Sequence, residues 1–151
     1  MNEDHIELIA RAVVINNDAI LLCKPKVADY YYFPGGHVEF NEDISTALRR
    51  ELKEEADVDV TALRFIGVWE NEFFQNSFHE KPDRKHEINI VFEAKVTTRD
   101  IKNKEDHIEC KWIPLGEFQK SRVLPVSLKE AVIAWMQNRQ VFFGSEKDNI
   151  N

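Results

Sequence analysis

Residues 36–58 read GHVEFNEDISTALRRELKEEADV, and the run Arg50-Glu51-Leu52-Lys53-Glu54-Glu55 inside them places three carboxylates within about one and a half helical turns. Acidic crowding on a helix is ordinarily dissipated in water, so the placement of the charges decides the reading. At roughly 100° per residue, with Glu51 at zero, Ile44 falls at about 20°, Ala47 at about −40° and Leu48 at about 60°. Glu54 then falls at about −60° and Glu55 at about 40°, whereas Arg49 lies at about 160° and Lys53 at about 200°. The glutamates prolong the apolar stripe and the cations take the opposite face, the reverse of a solvated charge run. Inward carboxylates need compensation, because unpaired like charges are expensive to bury. Neutralisation by Arg and Lys alone is the bland alternative, but Arg49 and Lys53 point away. Hard oxygen ligands suit Mg²⁺ or Mn²⁺. Arg50, four residues before Glu54, is spaced to pair with it.

The wider pattern is Gly36, five free positions, Glu42, seven free positions, then Arg50-Glu51-Leu52-Lys53-Glu54-Glu55 and, three residues on, Val58. It resembles the signature box of the Nudix hydrolases, and Phe33-Pro34-Gly35-Gly36 resembles the Pro-Gly-Gly segment that commonly precedes it. The one departure is Asp57, where the family carries Gly. That position ends the helix, where a left-handed backbone is usual; Asp tolerates it better than most residues but at some strain. Asn41 is read as the helix N-cap.

The resemblance implies an α/β/α sandwich with a mixed β-sheet, and hydrolysis of a phosphoanhydride bond in a nucleoside diphosphate derivative. Nucleoside triphosphates, ADP-ribose-like diphosphates and dinucleoside polyphosphates all remain open as substrates. It further implies Glu51 and Glu55 as metal ligands, the backbone carbonyl of Gly35 as an additional one, and Glu54 as either a ligand or the acceptor of the water's proton. Arg50 completes the catalytic set. In the family the base sometimes lies outside the box, so Glu39, Glu72, Glu87, Glu93 and Glu109 stay as candidates, each more plainly an ordinary surface acid. Gly36, His37, Glu39, Lys24 and Arg84 are the weaker candidates for substrate contact, and Lys81 and Lys85 are further cations. Tyr30, Tyr31, Tyr32, Phe73, Phe74 and Phe78 offer aromatic faces on which one or two could stack a nucleobase. A catalytically silent nucleotide-binding regulatory domain is the competing reading, although no Arg or Glu is lost from the box.

Composition frames these expectations. A chain of 151 residues, 43% apolar and 11% aromatic, has the size of one domain with a real core. A single domain over 1–144 with a frayed tail over 145–151 is expected. The net charge of −7 disfavours RNA as a partner and leaves a small nucleotide as the expected one, with a homodimer open. No apolar run reaches membrane-spanning length and no signal peptide is recognisable, so a cytoplasmic location is expected. Cys23 and Cys110 are too few for a disulfide framework and read as buried free thiols.

Along the chain, Leu8 to Ile15, the turn Asn16-Asn17-Asp18 and Ala19 to Leu22 read as a hairpin. Val38 to Phe40 reads as a strand leading into a helix over about 42–56, and 58–69 as one or two strands. Phe73 to Lys85 reads as a long polar-aromatic loop. Ile88 to Phe92 and Cys110 to Ile113 read as strands, 97–106 as a charged connection, and 128–136 as a helix capped by Ser127.

Overall fold

The computed structural model describes residues 4–75 and 83–147. Two sheets meet along the middle of the molecule. β1 (Glu7–Val13), β4 (Gly35–His37), β5 (Val60–Gln75), β6 (Asp83–Val96) and β8 (Phe142–Lys147) form a mixed sheet in the order β4-β1-β6-β5-β8. β2 (Ile15–Asn16), β3 (Ala19–Pro25) and β7 (Ile108–Pro114) form an antiparallel sheet in the order β2-β3-β7. On one side, α1 (Ile44–Ala56) lays Leu48, Leu52 and Ala56 against Ala10, Ala12, Val14, Leu21 and Ala94. On the other, α2 (Leu115–Phe118) and α3 (Val126–Asn138) bring Phe118, Leu128, Val132 and Trp135 onto Val13, Ile20, Leu22, Ile66 and Val91. The result is the expected sandwich of helices around sheet. Alternation along β1 explains it: Ala10 and Ala12 point to α1 while Val13 points to α3, the period-two geometry of a strand buried on both faces.

Several local expectations are corrected. The hairpin forms between β2 and β3, not β1 and β3; after Val13 the chain leaves one sheet for the other, and β1 pairs instead with β4 and β6. Val38 to Phe40 is no strand, the paired residues being Gly35 to His37, and Phe40 is solvent-exposed. Helix α1 starts at Ile44 and its N-cap is Asp43, whose carboxylate accepts from Thr46 N at 2.7 Å. Asn41 instead occupies a left-handed turn position, φ 69°, which Asn tolerates. Ser127 does not cap α3, whose N-cap is Pro125; its hydroxyl accepts from Trp69 Nε1 at 3.0 Å. Of the stretch read as a loop over 73–85, the described residues 73–75 and 83–85 are strand, since β5 and β6 pair out to Gln75↔Asp83. Its polarity misled because a charge within it serves across the strands: Arg84 meets Glu72 at 3.2 Å. Phe78, His79 and Lys81 lie outside the described residues. At the C-terminus, Ser145 to Lys147 are paired in β8, so that part of the tail is not frayed. The thiols are not free either. Cys23 and Cys110 sit directly opposite in the β3–β7 register and are joined as a disulfide.

Asp57 closes α1 in the left-handed region (φ 56°, ψ 40°), its N–H donating to Lys53 O at 3.1 Å. Its carboxylate pairs with Lys104 at 2.8 Å and Lys53 at 3.3 Å, and these bonds hold it below the usual carboxylate range. Asp57→Gly therefore relieves backbone strain while removing two ion pairs. The variant is expected to match the parent in thermal unfolding at about 0.01 M salt and to exceed it at about 1 M, where the screening length is only about 3 Å. A variant less stable than the parent at both salt concentrations would show that the ion pairs, not the backbone, dominate this position.

Candidate active site

Helix α1 is oriented by its apolar stripe, and that stripe determines what each glutamate meets. Glu55 lies one turn after Glu51 and is 4% exposed, level with the core residues around it. Glu51 is half-buried, and Glu54 stands at the rim with its side chain 50% exposed. The order of burial follows from angular distance to the Leu48–Leu52 ridge.

Arg50 ties the array together. Its guanidinium donates to Glu42 at 2.7 and 3.0 Å, to Glu51 at 3.0 Å, to Glu54 at 3.3 Å and to the carbonyl of His37 at 3.1 Å. Glu39 lies 3.8 Å away. The bonds from Arg50 and from Glu39 N lower the Glu42 carboxyl to about 2. Arg50 itself is held fully charged by its carboxylates. Glu42, eight residues upstream, thus acts as an anchor that immobilises Arg50, and through it Glu51 and Glu54.

Glu51 and Glu55 behave differently. Burial raises both, with Arg50 opposing the shift at Glu51. Glu55 is pushed up to about 8 by burial, with Arg11 opposing and Glu51 reinforcing. Among the described residues no Lys, Arg or His forms an ion pair with Glu55. Its polar neighbours are Gly35 N at 3.5 Å and Cys23 Sγ at 3.7 Å. A buried carboxyl without an ion pair is the condition that a hard divalent ion satisfies.

The glycines make the room. Gly35 has φ +143°, and a Cβ there would stand 1.9 Å from the carbonyl oxygen of Ala10. A Cβ on Gly36 would fall 2.4–2.7 Å from the Glu51 carboxyl group. Strand β4, with Ala10↔Gly36 and Arg11↔Gly35 in register, therefore brings bare backbone against the carboxylates.

Of the expected site residues, Gly35, Gly36, His37, Glu39, Arg50, Glu51, Glu54 and Glu55 converge here. His37 points its ring at Glu7, 3.3 Å away. Lys24 does not join the cluster; its ammonium donates to Ala28 O at 2.9 Å. Arg84 is also elsewhere, lining a surface cleft with Asp4, His5, Ile6, Glu72 and His86. Among the outlying base candidates, Glu72 pairs with Arg84 and Lys147, and Glu93 with Arg139. Phe73, Phe74 and Lys85 are strand residues, while Arg11 lies over Tyr32 with 5.6 Å to the ring centroid.

Two residues escaped the sequence reading. Arg11, on β1, donates to Phe33 O at 3.0 Å and Asn89 at 3.2 Å and draws the Glu55 carboxyl down. Glu105, in the connection before β7, is near enough to raise Glu51, Glu55 and Tyr32. Neither carries a local signal, since each reaches the site by a long-range fold-back. An arginine inside an otherwise apolar strand, Leu8-Ile9-Ala10-Arg11-Ala12-Val13, was the nearest thing to one.

Fold and site together define a protein with a glycine-lined strand packed on a carboxylate helix, an arrangement suited to a divalent cation and to phosphate oxygens. A NUDIX domain matches residues 7–136, and the chain belongs to the Nudix family. It is similar to the ADP-ribose pyrophosphatase of Methanocaldococcus jannaschii, 28% identical over 119 residues, covering 77% of this chain and 66% of that protein. It is also similar to the 8-oxo-dGTP diphosphatase of Buchnera aphidicola, 34% identical over 62 residues, 38% of this chain and 48% of that protein. The matched stretches thus span about half to two thirds of these relatives' lengths. Among solved structures, a MutT protein from Bacillus halodurans superposes with TM-score 0.73 at 18% identity, covering 92% of this chain and 88% of that one. A Nudix hydrolase from Nitrosomonas europaea gives TM-score 0.73 at 19% identity, covering 97% and 82%. At such identities the likeness establishes the fold. No helix among the described residues is long and apolar enough to cross a membrane.

Proposed function

We propose that the chain is a divalent-metal-dependent pyrophosphohydrolase that cleaves a phosphoanhydride bond in a nucleoside diphosphate derivative. The observation that carries this reading is the buried carboxyl of Glu55, without an ion pair among the described residues, one turn from Glu51 and beneath the bare backbone of Gly35 and Gly36. Glu51, Glu55, Glu54 and the carbonyl of Gly35 are the ligands this reading assigns to Mg²⁺, with Mn²⁺ as the alternative ion. When bound, such an ion neutralises phosphoryl oxygens and acidifies a coordinated water.

The chain's own residues supply the rest. Arg50 restrains Glu51 and Glu54 through the Glu42 anchor, so no side-chain reorganisation is required when substrate arrives. Glu54, exposed on one side, is the carboxylate placed to accept the proton of the attacking water, and Glu105 is the second candidate. Arg11, with donors beyond the two it uses, is the cation nearest the inner carboxylates and is assigned to a substrate phosphate. The nucleotide class is best supported by the relatives named above, an ADP-ribose pyrophosphatase and an 8-oxo-dGTP diphosphatase.

A panel of nucleoside triphosphates, ADP-ribose and dinucleoside polyphosphates, assayed for released phosphate or mononucleotide, tests the proposal. At least one compound should turn over with Mg²⁺ in the millimolar range, a rough expectation for an ion that keeps water and substrate as ligands. Excess EDTA should abolish that turnover and renewed Mg²⁺ should restore it. Full turnover in EDTA would remove the metal from the mechanism.

A further inference from the structure

The Glu55 oxygen that faces Gly35 N also looks onto sulfur. Cys23, Cys110 and Glu55 each present a ligand atom, the three lie within 4.8 Å of one another, and all three residues are buried. Cys23 Sγ stands 3.7 Å from Glu55 Oε2. The antiparallel register Cys23↔Cys110 keeps both side chains on the same face of β3–β7 whichever oxidation state they hold. In the structure they are a disulfide, which offers no thiolate. Reduction by a dithiol transfers two electrons and two protons: the Cys23–Cys110 bond breaks, two thiols form, and the dithiol leaves as its own disulfide.

We propose that in the reduced protein Cys23, Cys110 and Glu55 form a binding site for a thiophilic divalent ion of the zinc class, with two thiolates and one carboxylate oxygen as ligands. Tetrahedral coordination with Zn–S of about 2.3 Å and Zn–O of about 2.1 Å requires S···O of about 3.6 Å and S···S of about 3.8 Å. The Cys23 Sγ–Glu55 Oε2 separation of 3.7 Å already meets the first requirement, and the Cys110 sulfur lies within 4.8 Å. Reduction releases the sulfurs to meet the second. Binding expels two thiol protons. The ion also compensates the Glu55 charge, which has no ion pair among the described residues. Thiolate donors reject Mg²⁺, so this site and the all-oxygen carboxylate cluster of α1 select different ions while sharing one carboxylate. A zinc-class ion held here withdraws Glu55 from the cluster on α1.

The test is a titration of the whole chain, kept in a phosphine reductant throughout purification, with Cd²⁺ and Zn²⁺. Cd²⁺ should produce a thiolate-to-metal charge-transfer absorption saturating at one ion per chain, and Zn²⁺ should displace it. The oxidised chain should show no such band. Cys23→Ser and Cys110→Ser should each weaken binding by at least about tenfold, the cost of disturbing even a residue that only supports a ligand. Cys110→Ala, which keeps an apolar side chain in the packing, guards against a serine variant that fails to fold. Absence of the band in the reduced chain would overturn the proposal. So would uptake of Cd²⁺ without the band, or binding undiminished in the folded cysteine variants. Because the readout is ion binding, it stands or falls separately from hydrolysis.

Discussion

Glu54→Gln should lower kcat by about 10²–10⁴, the usual contribution of a general acid–base group, with the fold unchanged. The side chain is half exposed and only one of several partners of Arg50, so its charge can be removed while the Glu42 and Glu51 bonds hold the guanidinium. Glu105→Gln separates the two base candidates. If Glu54 accepts the proton, kcat should collapse in Glu54→Gln and stay near the parent value in Glu105→Gln. The opposite pattern, with near-normal kcat in Glu54→Gln, would move the base to the segment before β7 and leave Glu54 without a catalytic role.

Glu55 should impose a pH-dependent cost on the metal-free fold. Its carboxyl is raised from an ordinary 4.5 to about 8, chiefly by burial. Between those values the native state holds a proton that the unfolded chain releases, so ΔG of unfolding falls as pH rises through the window. The stability is fully present below about 4.5 and is lost by about 8, an effect on the order of 4 kcal/mol from the size of the shift. Glu55→Gln, neutral throughout, should flatten this slope and be the more stable form at pH 8, while losing hydrolysis. Mg²⁺ should flatten it in the parent, since a bound cation compensates the charge. Urea unfolding in EDTA from pH 5 to 9, with and without Glu55→Gln, measures the difference directly. Equal slopes for the two proteins would mean that Glu55 is better solvated than its 4% exposure indicates.

These two glutamates also show what local sequence can specify. Placing Glu55 at about 40° and Leu48 at about 60° on one wheel amounts to saying that they share a face, and the structure buries both. Arg49 and Lys53, on the far side of that wheel, are exposed. A helix is a local object, so periodicity placed Glu55 with Leu48 on its buried face, although Glu54, read on the same inward stripe, stands exposed at the rim. Even there, the choice of Asp43 over Asn41 as cap depended on which short side chain reached the Thr46 amide. The far end of the β5–β6 ribbon was hidden because Asp83, Arg84 and Lys85 look like loop residues until their cross-strand partners are known. Arg11 meets Asn89 across 78 residues and Cys23 meets Cys110 across 87, while the charge of Glu105 adds a minor repulsion at Glu55 from a distant part of the chain. The sequence by itself determined the family, the carboxylate helix and its orientation. Strand register, the sulfur face of Glu55 and the charges that Arg11 and Glu105 bring to it were decided by tertiary structure, because each depends on pairings whose partners are distant in the chain and leave no periodic trace along it.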